Sequence, residues 1–359
     1  MKIGILTYHR TLNYGGCLQA LATRKTLEKL GHEVYYVDYW PDYHKAEYSL
    51  FNKYKFRAFT WKGKLNYLLN TILTFPYKQK RQTNFNVFLQ EHVLPFCKPL
   101  NETYDIIVYG SDQIWRKQSA MKDYNPIYFG ANEFSASRHI AFSASMGVLP
   151  EKADDITKVK ELLSNINEFS VRENELARFL ESLGFPNIEE TLDPTLLLRR
   201  EEWDEILPSK PYTDDKYILV YSLWGDVFNK ESVDALAKER NAKVIILRGE
   251  ARHFDSDTEV TTAGPATFIS LIKNADFVFT SSFHGLVFSI LYNKQFYTSF
   301  GVNGGRAKSL LSILGLSDRY LPNGARISTD IPLIKYNQVN TSLGEFQQKT
   351  FQYLKNVCK

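Results

Sequence analysis

The stretch over residues 264–295 constrains this chain most, because helix and strand patterns alternate within it at short spacing. Residues 266–274 have the apolar spacing of a helix, and residues 276–280 form a compact apolar strand. A second apolar helix is predicted at residues 286–292. Such alternation of strand and helix is typical of a parallel α/β sheet, so the stretch predicts that architecture.

One histidine stands at the carboxyl end of the predicted strand, where parallel sheets bind ligands. His284 follows Ser281 and Ser282 and precedes Gly285, at the start of the second helix. Backbone N–H groups at a helix start favour anions, so His284 is a candidate acid or base acting on an anionic group. The alternative is a structural histidine that packs at the helix start without a catalytic role.

The N-terminal residues predict a β-α-β unit with a glycine loop. Strands are expected at residues 2–8 and 34–38, and Asn13, Gly15 and Gly16 precede the helix between them. The loop is neither a dinucleotide fingerprint nor a phosphate-binding loop with its lysine. Adjacent glycines allow a ligand to approach the backbone closely, but a tight turn without a ligand explains them equally well.

Two further strand ends carry polar side chains. Ser111 and Asp112 follow the apolar strand at residues 104–109, and Asp112 is a candidate base or ligand for sugar hydroxyls. A turn or helix cap is the alternative explanation for both residues. Arg172 follows a short strand at residues 168–171 and stands where a helix starts. A cation in that place opposes the helix dipole, which favours a role in holding an anion.

Residues 41–98 differ from the rest of the chain because aromatic and basic residues are interleaved there. Helical patterns are predicted at residues 65–73 and 78–93. We expect a helical excursion whose aromatic side chains pack on the sheet. The alternative is an insertion that contacts an acidic polymer, an anionic membrane surface or a lipid-linked glycan.

The length of 359 residues predicts two domains. A polar, proline-bearing segment at 199–215 divides the chain, and a fresh β/α series begins at Tyr217. We therefore predict α/β architecture with two Rossmann-like domains, residues 1–205 and 206–359, facing a central cleft. A glycine-rich loop at 301–305 precedes Arg306, and a closing C-terminal helix is expected at about residues 344–357.

Composition narrows the classes of partner. The net charge of +4 is too weak to indicate nucleic acid. The three cysteines lack metal-binding spacing and favour a reduced compartment. The N-terminus opens as a strand without an apolar signal core, and no apolar run of about 18 residues is present. We expect a soluble cytoplasmic protein without a metal, with peripheral contact at the inner face of the membrane as a further option.

Six strand-end motifs in fixed order carry a family resemblance. They are Asn13-Tyr14-Gly15-Gly16, Gly110-Ser111-Asp112-Gln113-Ile114-Trp115, Ser143-Ala144-Ser145-Met146-Gly147, Ser170-Val171-Arg172-Glu173, Leu192-Asp193-Pro194-Thr195-Leu196-Leu197 and Thr280-Ser281-Ser282-Phe283-His284-Gly285. The set resembles the polysaccharide pyruvyl transferase family over roughly residues 2–316, apart from residues 41–98. The resemblance implies two Rossmann-like domains similar to the GT-B glycosyltransferases.

The same resemblance implies transfer of pyruvate from phosphoenolpyruvate to sugar hydroxyls of a surface glycan or its lipid-linked precursor. Arg172 and His284 match the arginine and histidine of the family. The donor's carboxylate and phosphate need cations and backbone donors.

We expect Arg172, Arg306, the loop with Asn13, Gly15 and Gly16, and residues Ser111, Ser281 and Ser282 to hold the substrate. His284 would act as acid or base, with Asp112 as a second catalytic candidate and no cofactor. Two alternatives stay open: a GT-B glycosyltransferase that uses a nucleotide sugar, and a non-catalytic glycan-binding module.

Overall fold

The computed structural model describes residues 1–130, 134–223, 225, 227–250, 256, 258–300 and 304–359, and it contains two parallel sheets. The first sheet has the strand order β3-β2-β1-β4-β5-β6-β7. Its strands are β1 (Lys2–Leu6), β2 (Glu33–Val37), β3 (Cys97–Lys98), β4 (Tyr104–Tyr109), β5 (Ala136–Ala144), β6 (Glu168–Val171) and β7 (Glu189–Glu190). All its pairings are parallel, as the alternation of strand and helix predicts.

The second sheet has the order β10-β9-β8-β11-β12 and is also parallel. Its strands are β8 (Tyr217–Ser222), β9 (Lys243–Arg248), β10 (Glu259–Val260), β11 (Phe277–Thr280) and β12 (Gln295–Thr298). The predicted fold class, α/β with two Rossmann-like units, is therefore confirmed.

Each sheet reverses its strand order once, and the reversal fixes where a ligand binds. In the first sheet β1 pairs with both β2 and β4, and in the second β8 pairs with both β9 and β11. Crevices form outside the carboxyl ends of strands at such switch points. Asp112 lies in the loop after β4, whereas Gly15 and His284 lie in the first turns of α1 (Tyr14–Lys29) and α10 (Phe283–Leu291), which follow β1 and β11. Gly15 and Gly16, predicted to precede the first helix, are therefore part of it, because that helix is capped by Asn13. The predicted residues stand at the two crevices.

Twelve α-helices are assigned in the described ranges. They are α1 (Tyr14–Lys29), α2 (Asp42–Glu47), α3 (Lys53–Ala58), α4 (Trp61–His92), α5 (Ala153–Leu162), α6 (Asn174–Ser182), α7 (Arg200–Ile206), α8 (Lys230–Glu239), α9 (Pro265–Lys273), α10 (Phe283–Leu291), α11 (Gly305–Ile313) and α12 (Tyr336–Val357). None of them is both long and apolar enough to cross a bilayer.

The two halves share one apolar core, because helices at their facing edges pack directly together. Tyr14 of α1 stacks on Phe268 of α9, with ring centroids 4.5 Å apart and planes 8° apart. Arg81 of α4 is buried and donates to the carbonyl oxygens of Leu12 (3.2 Å) and Thr261 (3.1 Å). These contacts hold the loop after β1 against the second half.

The aromatic segment differs from its prediction in two ways. The two predicted helical stretches are one continuous helix, α4, which contains Pro76. The aromatic rings of α3 and its flanks do not pack on the sheet; Phe51, Phe56 and Phe59 cluster around Tyr67 instead. The sheet is covered by later residues of α4, such as Phe85, which is fully buried in the core.

The C-terminal helix starts at Tyr336, earlier than predicted, and returns to the first half of the chain. The side-chain hydroxyl of Thr350 accepts a hydrogen bond from the backbone N–H of Leu192 at 3.2 Å. The predicted division at residues 205 and 206 falls between the last strand of the first sheet and the first strand of the second. It stays a prediction, since α4 and α12 contact both halves.

Candidate functional site

His284 lies in the first turn of α10, not before that helix as predicted. The side chain of Ser282 accepts a hydrogen bond from the N–H of Gly285 at 3.4 Å, so Ser282 caps the helix and α10 starts at Phe283. This cap satisfies one of the free N–H groups at the helix start. It places the imidazole, whose side chain is 10% exposed, at the carboxyl edge of the second sheet.

The imidazole faces a carboxylate from the other half of the chain. His284 Nε2 lies 3.4 Å from Oδ2 of Asp193, whose side chain is fully buried just after β7. Burial opposes the charged form of Asp193, but His284 and Arg172 outweigh it and hold the pKa of this carboxyl well below its usual range. An ionised carboxylate in this position orients a histidine and stabilises its protonated form.

Gly15 forms the other wall of the histidine pocket. A Cβ atom placed on Gly15 would lie 2.0 Å from His284 Nδ1, so the ring rests directly on the glycine backbone. Only glycine fits there. The neighbouring Gly16 N–H is already bound by the side chain of Asn13 at 3.2 Å, which caps α1. Asn13 therefore caps α1. The N–H of Gly16, which was expected to bind substrate, already donates to Asn13.

Arg172 pairs with the same carboxylate as His284. It donates from Nη1 to Asp193 Oδ2, and its side chain is 2% exposed. Its Nε and Nη2 atoms are buried and have no hydrogen-bond partner in the described part of the chain. Buried polar groups are normally satisfied, so two free guanidinium donors indicate that an anion completes the site.

The burial of Arg172 limits which substitution can test its role. Arg172 and Asp193 form a buried ion pair, and removal of one partner from such a pair is strongly destabilising. Arg172→Ala therefore does not separate binding from folding, and a variant that keeps the positive charge is required.

Arg306 supplies a second cation beside Arg172. The guanidinium carbons of Arg306 and Arg172 lie 5.1 Å and 5.5 Å from the ring centroid of Phe283. Burial and the nearby charge of Arg172 lower the pKa of Arg306. Arg306 follows the predicted glycine-rich loop, of which residues 301–303 lie outside the described residues. The two cations on one aromatic ring favour an anion with more than one charged group.

Glu173 completes the cluster on the side of Arg306. Its Oε1 lies 3.7 Å from Nε of Arg306 and accepts a hydrogen bond from the hydroxyl of Ser145. Burial raises the pKa of Glu173 above its usual value, although Arg172 and Arg306 oppose the shift. Glu173 therefore occupies Arg306 in the described arrangement, while Arg172 pairs with Asp193.

The residues after β4 lie next to the glycine loop. A Cβ on Gly16 would be 3.5 Å from Oδ2 of Asp112, and Oδ1 of Asp112 accepts from the N–H of Gln113 at 2.7 Å. Ser111 is fully buried, its N–H donates to Gln19 at 3.2 Å, and its hydroxyl has no partner in the part of the chain that the structure describes. Asp112 therefore lies near the crevice, and Ser111 lies beneath it. The predicted contacts of both residues with substrate stay predictions.

The hydroxyl groups of Ser281 and Ser282 form hydrogen bonds within the protein. The hydroxyl oxygen of Ser281 accepts from the N–H of Leu223 at 2.9 Å, which ties the end of β11 to the loop after β8. Ser282 caps α10, as described above. Their predicted contact with substrate stays a prediction.

Two members of the cluster, Glu173 and Asp193, are absent from the predicted site residues. Both stand inside motifs that carry the family resemblance, after strands β6 and β7. A carboxylate directly after a short strand was a signal that could have identified Asp193. Its pairing with His284 could not be predicted, because 90 residues and a change of sheet separate the two.

Among the described residues, one group of histidine, cysteine and carboxylate side chains has the spacing of a metal site: His9, Asp38 and Cys97. Asp38 already pairs with Arg10 at 2.8 Å and lies 3.8 Å from His9. A metal ion there would compete with the guanidinium for the carboxylate. No step of the chemistry around His284 involves this group.

Comparison with known proteins gives one family. The model of the family described as polysaccharide pyruvyl transferase matches residues 13–302, and no curated protein matches the chain. The matched range includes Asn13, Arg172, Asp193 and His284 but stops before Arg306.

Several solved structures are similar to this chain at low sequence identity. They include UDP-GlcNAc 2-epimerase from Methanocaldococcus jannaschii, with 11% identity and a TM-score of 0.47 over 96% of this chain and 92% of that one. The UDP-GlcNAc 2-epimerase of Neisseria meningitidis bound to UDP-GlcNAc has 8% identity and a TM-score of 0.45 over 99% of this chain and 94% of that one. The E. coli heptosyltransferase WaaC with ADP has 12% identity and a TM-score of 0.41 over 96% of this chain and 100% of that one. Likeness at this level does not identify a substrate.

Proposed function

This chain belongs to the polysaccharide pyruvyl transferase family, and from that premise we propose that it transfers pyruvate from phosphoenolpyruvate to sugar hydroxyls. The acceptor would be a surface polysaccharide or its lipid-linked precursor, and the product a pyruvate ketal. The observation that carries the proposal is that two buried nitrogen atoms of Arg172, beside the His284–Asp193 pair, have no hydrogen-bond partner among the described residues.

The donor's two anionic groups match the cationic part of the site. Arg172 would bind the carboxylate or the phosphate through Nε and Nη2, while Nη1 stays on Asp193. Arg306 would bind the other group after release from Glu173, which holds it at 3.7 Å. Arginine forms two parallel hydrogen bonds to such groups, which fixes the donor in one orientation.

His284 would move the protons. Protonated His284 gives its proton to the methylene carbon of the donor, which becomes a methyl group and leaves an oxocarbenium-like centre at the neighbouring carbon. The first sugar hydroxyl attacks that centre and returns its proton to His284. The carbon–oxygen bond to phosphate then breaks. The second hydroxyl attacks, its proton leaves with the phosphate, and the ketal closes. Asp193 supports the protonated state throughout.

The acceptor hydroxyl would approach from the first sheet. Asp112 lies beside Gly16, and Gly15 touches the imidazole, so a hydroxyl bound to Asp112 would stand near His284. Asp112 is half-buried and its Oδ2 faces the glycine loop, which suits a ligand for sugar hydroxyls. No metal or further cofactor takes part in this proposal.

Donor access would require the halves to separate. Arg172, Glu173, Asp193 and His284 are all buried between the two sheets. Closure over a bound substrate excludes water and strengthens every charge interaction inside. In this proposal the described arrangement corresponds to the closed state.

The direct test is to incubate the protein with phosphoenolpyruvate and a panel of glycans. We expect phosphate release that requires a glycan, and a ketal methyl signal in the product by NMR. Transfer of sugar from a nucleotide sugar without consumption of phosphoenolpyruvate would establish the glycosyltransferase alternative. Glycan binding without either reaction would establish the alternative of a non-catalytic glycan-binding module.

A further inference from the structure

The protein exposes an apolar helical hairpin away from its cleft. We define this docking hairpin as α3 together with the first part of α4, residues 53–75. No side chain of α3 is buried, and the first buried residue of α4 is Thr74. A helix that packs on a core buries one face along its whole length, so this part of α4 projects from the body.

The apolar side chains of the hairpin form one stripe. Trp61, Leu65, Leu69 and Ile72 are exposed by 74%, 47%, 53% and 68%. Their spacing of three and four residues places them on one face of α4. Leu68, Leu73 and Phe75 widen the stripe, with exposures of 39%, 61% and 43%. Soluble proteins rarely leave a continuous apolar patch of this kind without a partner.

The opposite face of α4 carries the internal contacts of the hairpin. Tyr67 packs against Phe51, Phe56 and Phe59, with ring centroids 5.5 to 6.1 Å apart. Its hydroxyl accepts a hydrogen bond from the backbone N–H of Asn52 at 2.8 Å. Because these contacts fix α3 on the Tyr67 side, the apolar stripe faces outward.

The segment of the sequence that contains the docking hairpin carries only positive charge. Between Glu47 and Glu91 the sequence contains no Asp or Glu and eight Lys or Arg residues. The rest of the chain has 36 basic and 40 acidic residues and is therefore net negative. Lys62 and Lys64 flank the apolar stripe of α4, and Lys53, Lys55 and Arg57 lie on α3.

We propose that the docking hairpin binds the surface of an anionic lipid bilayer. The apolar stripe would enter the boundary between headgroups and acyl chains, with lysine and arginine side chains on the headgroups. A second copy of the chain would bring two strongly positive segments together. An acidic polymer would attract the charges but would leave the apolar side chains exposed. A bilayer satisfies both features.

The hairpin is tied to the body beside the candidate site. Farther along α4, Arg81 donates to Leu12, one residue before Asn13, and Asn84 donates to the carbonyl of Thr262 at 2.7 Å. The same helix therefore carries the membrane surface and holds the loop that contacts His284. Docking through α4 would keep the crevice at a fixed orientation to the bilayer, where a lipid-linked acceptor would be presented.

Flotation of the full-length protein with vesicles tests the proposal. We expect binding to vesicles of phosphatidylcholine with phosphatidylglycerol, and weak binding to phosphatidylcholine alone or at high salt. Each basic residue near an anionic surface contributes about fivefold to partitioning. Ile72→Asp should lower binding by at least about tenfold, because it removes a fully inserted apolar side chain and adds repulsion.

Val148→Asp is the matched control, since Val148 has the same 68% exposure but lies outside the hairpin. It should bind vesicles like the wild type, and circular dichroism should show both variants folded. Equal loss in both variants, or equal binding to neutral and anionic vesicles, would overturn the proposal. The proposal would also be overturned if the wild-type protein does not bind vesicles but forms a soluble dimer that the Ile72→Asp substitution dissociates. Neither donor nor acceptor is present, so the result is independent of the proposed reaction.

Discussion

The cluster around Arg172 and the docking hairpin depart from normal burial in opposite directions. The cluster buries four charged or titratable side chains between the sheets, whereas the α4 part of the hairpin exposes seven large apolar side chains. Charged residues are seldom fully buried, and large apolar patches are seldom exposed. Each departure weakens the isolated protein, so each indicates a missing partner: an anion in the cleft and a bilayer at the hairpin.

The two regions also differ in how the chain builds them. Residues at positions 172, 173, 193, 284 and 306 form the cluster, and both sheets are needed to bring them together. The hairpin is one contiguous segment, and the later turns of α4 continue from it into the body, where Phe85 is buried. Substitutions in the cluster should therefore affect function strongly, and substitutions in the hairpin should leave folding and chemistry unchanged.

The largest effect is expected for His284→Gln. Glutamine keeps hydrogen bonding and approximate volume but does not titrate near neutrality. A positioned proton-transfer group typically contributes a hundred- to ten-thousand-fold, so phosphate release should fall by about that factor. Steady-state rates at saturating donor measure it, with the melting temperature as control. A variant as active as the wild type would leave His284 only a structural role.

Gly15→Ala should be the next most damaging change. The added methyl group would lie 2.0 Å from His284 Nδ1, so the imidazole must move. A displacement of about 1 Å at a reacting group costs roughly a hundredfold in rate. Gly344→Ala in α12 is the matched control, because among the described residues no atom outside the local backbone of α12 lies within 4 Å of its added methyl. Equal activity of the two variants would contradict the contact between the first loop and the histidine.

Arg172→Lys should mainly weaken donor binding. Lysine keeps the charge opposite Asp193 but lacks the planar fork that leaves Nε and Nη2 for the anion. Loss of charge-assisted hydrogen bonds is worth about 1.5 to 3 kcal/mol, so the KM for phosphoenolpyruvate should rise at least about tenfold. Unchanged KM in a folded variant would remove Arg172 from the donor site.

Glu173→Gln should change stability in a pH-dependent direction. Burial raises the pKa of Glu173 in the folded state, so its contribution to stability is present at low pH and is lost as pH rises through the raised value. The neutral variant should therefore melt higher than the wild type at pH 7 and equally at pH 4. A collapse of turnover would show in addition that Glu173, rather than His284, donates the proton.

The smallest effect on the body of the protein is expected from Ile72→Asp. An exposed substitution without partners normally changes the free energy of unfolding by less than about 0.5 kcal/mol. Denaturant unfolding and phosphate release with a soluble acceptor should match the wild type. A clear loss of stability would mean that the stripe packs on the protein itself, and the contrast with the cluster would disappear.

The strand-helix alternation of the sequence predicted the parallel α/β architecture, because buried parallel strands are continuous apolar runs. The two-residue edge strands β3 and β10 are too short to form such a run and were not predicted. Strand ends were equally informative, since Gly15, Asp112 and His284 each follow a strand at a switch point. Local sequence patterns do not indicate which side chains of the two halves contact each other. The contacts of Asp193 with Arg172 and His284 depend on how two sheets pack, and the outward stripe of α4 depends on where α3 lies.

Calorimetric titration with phosphoenolpyruvate and, separately, with a nucleotide sugar tests the central claim most directly. Wild-type protein and Arg172→Lys would be compared under the same conditions. We predict that the wild type binds phosphoenolpyruvate, that Arg172→Lys binds it at least about tenfold more weakly, and that neither binds the nucleotide sugar. Binding of the nucleotide sugar by the wild type, with no heat from phosphoenolpyruvate, would contradict the assignment of the buried cluster as a pyruvate-donor site.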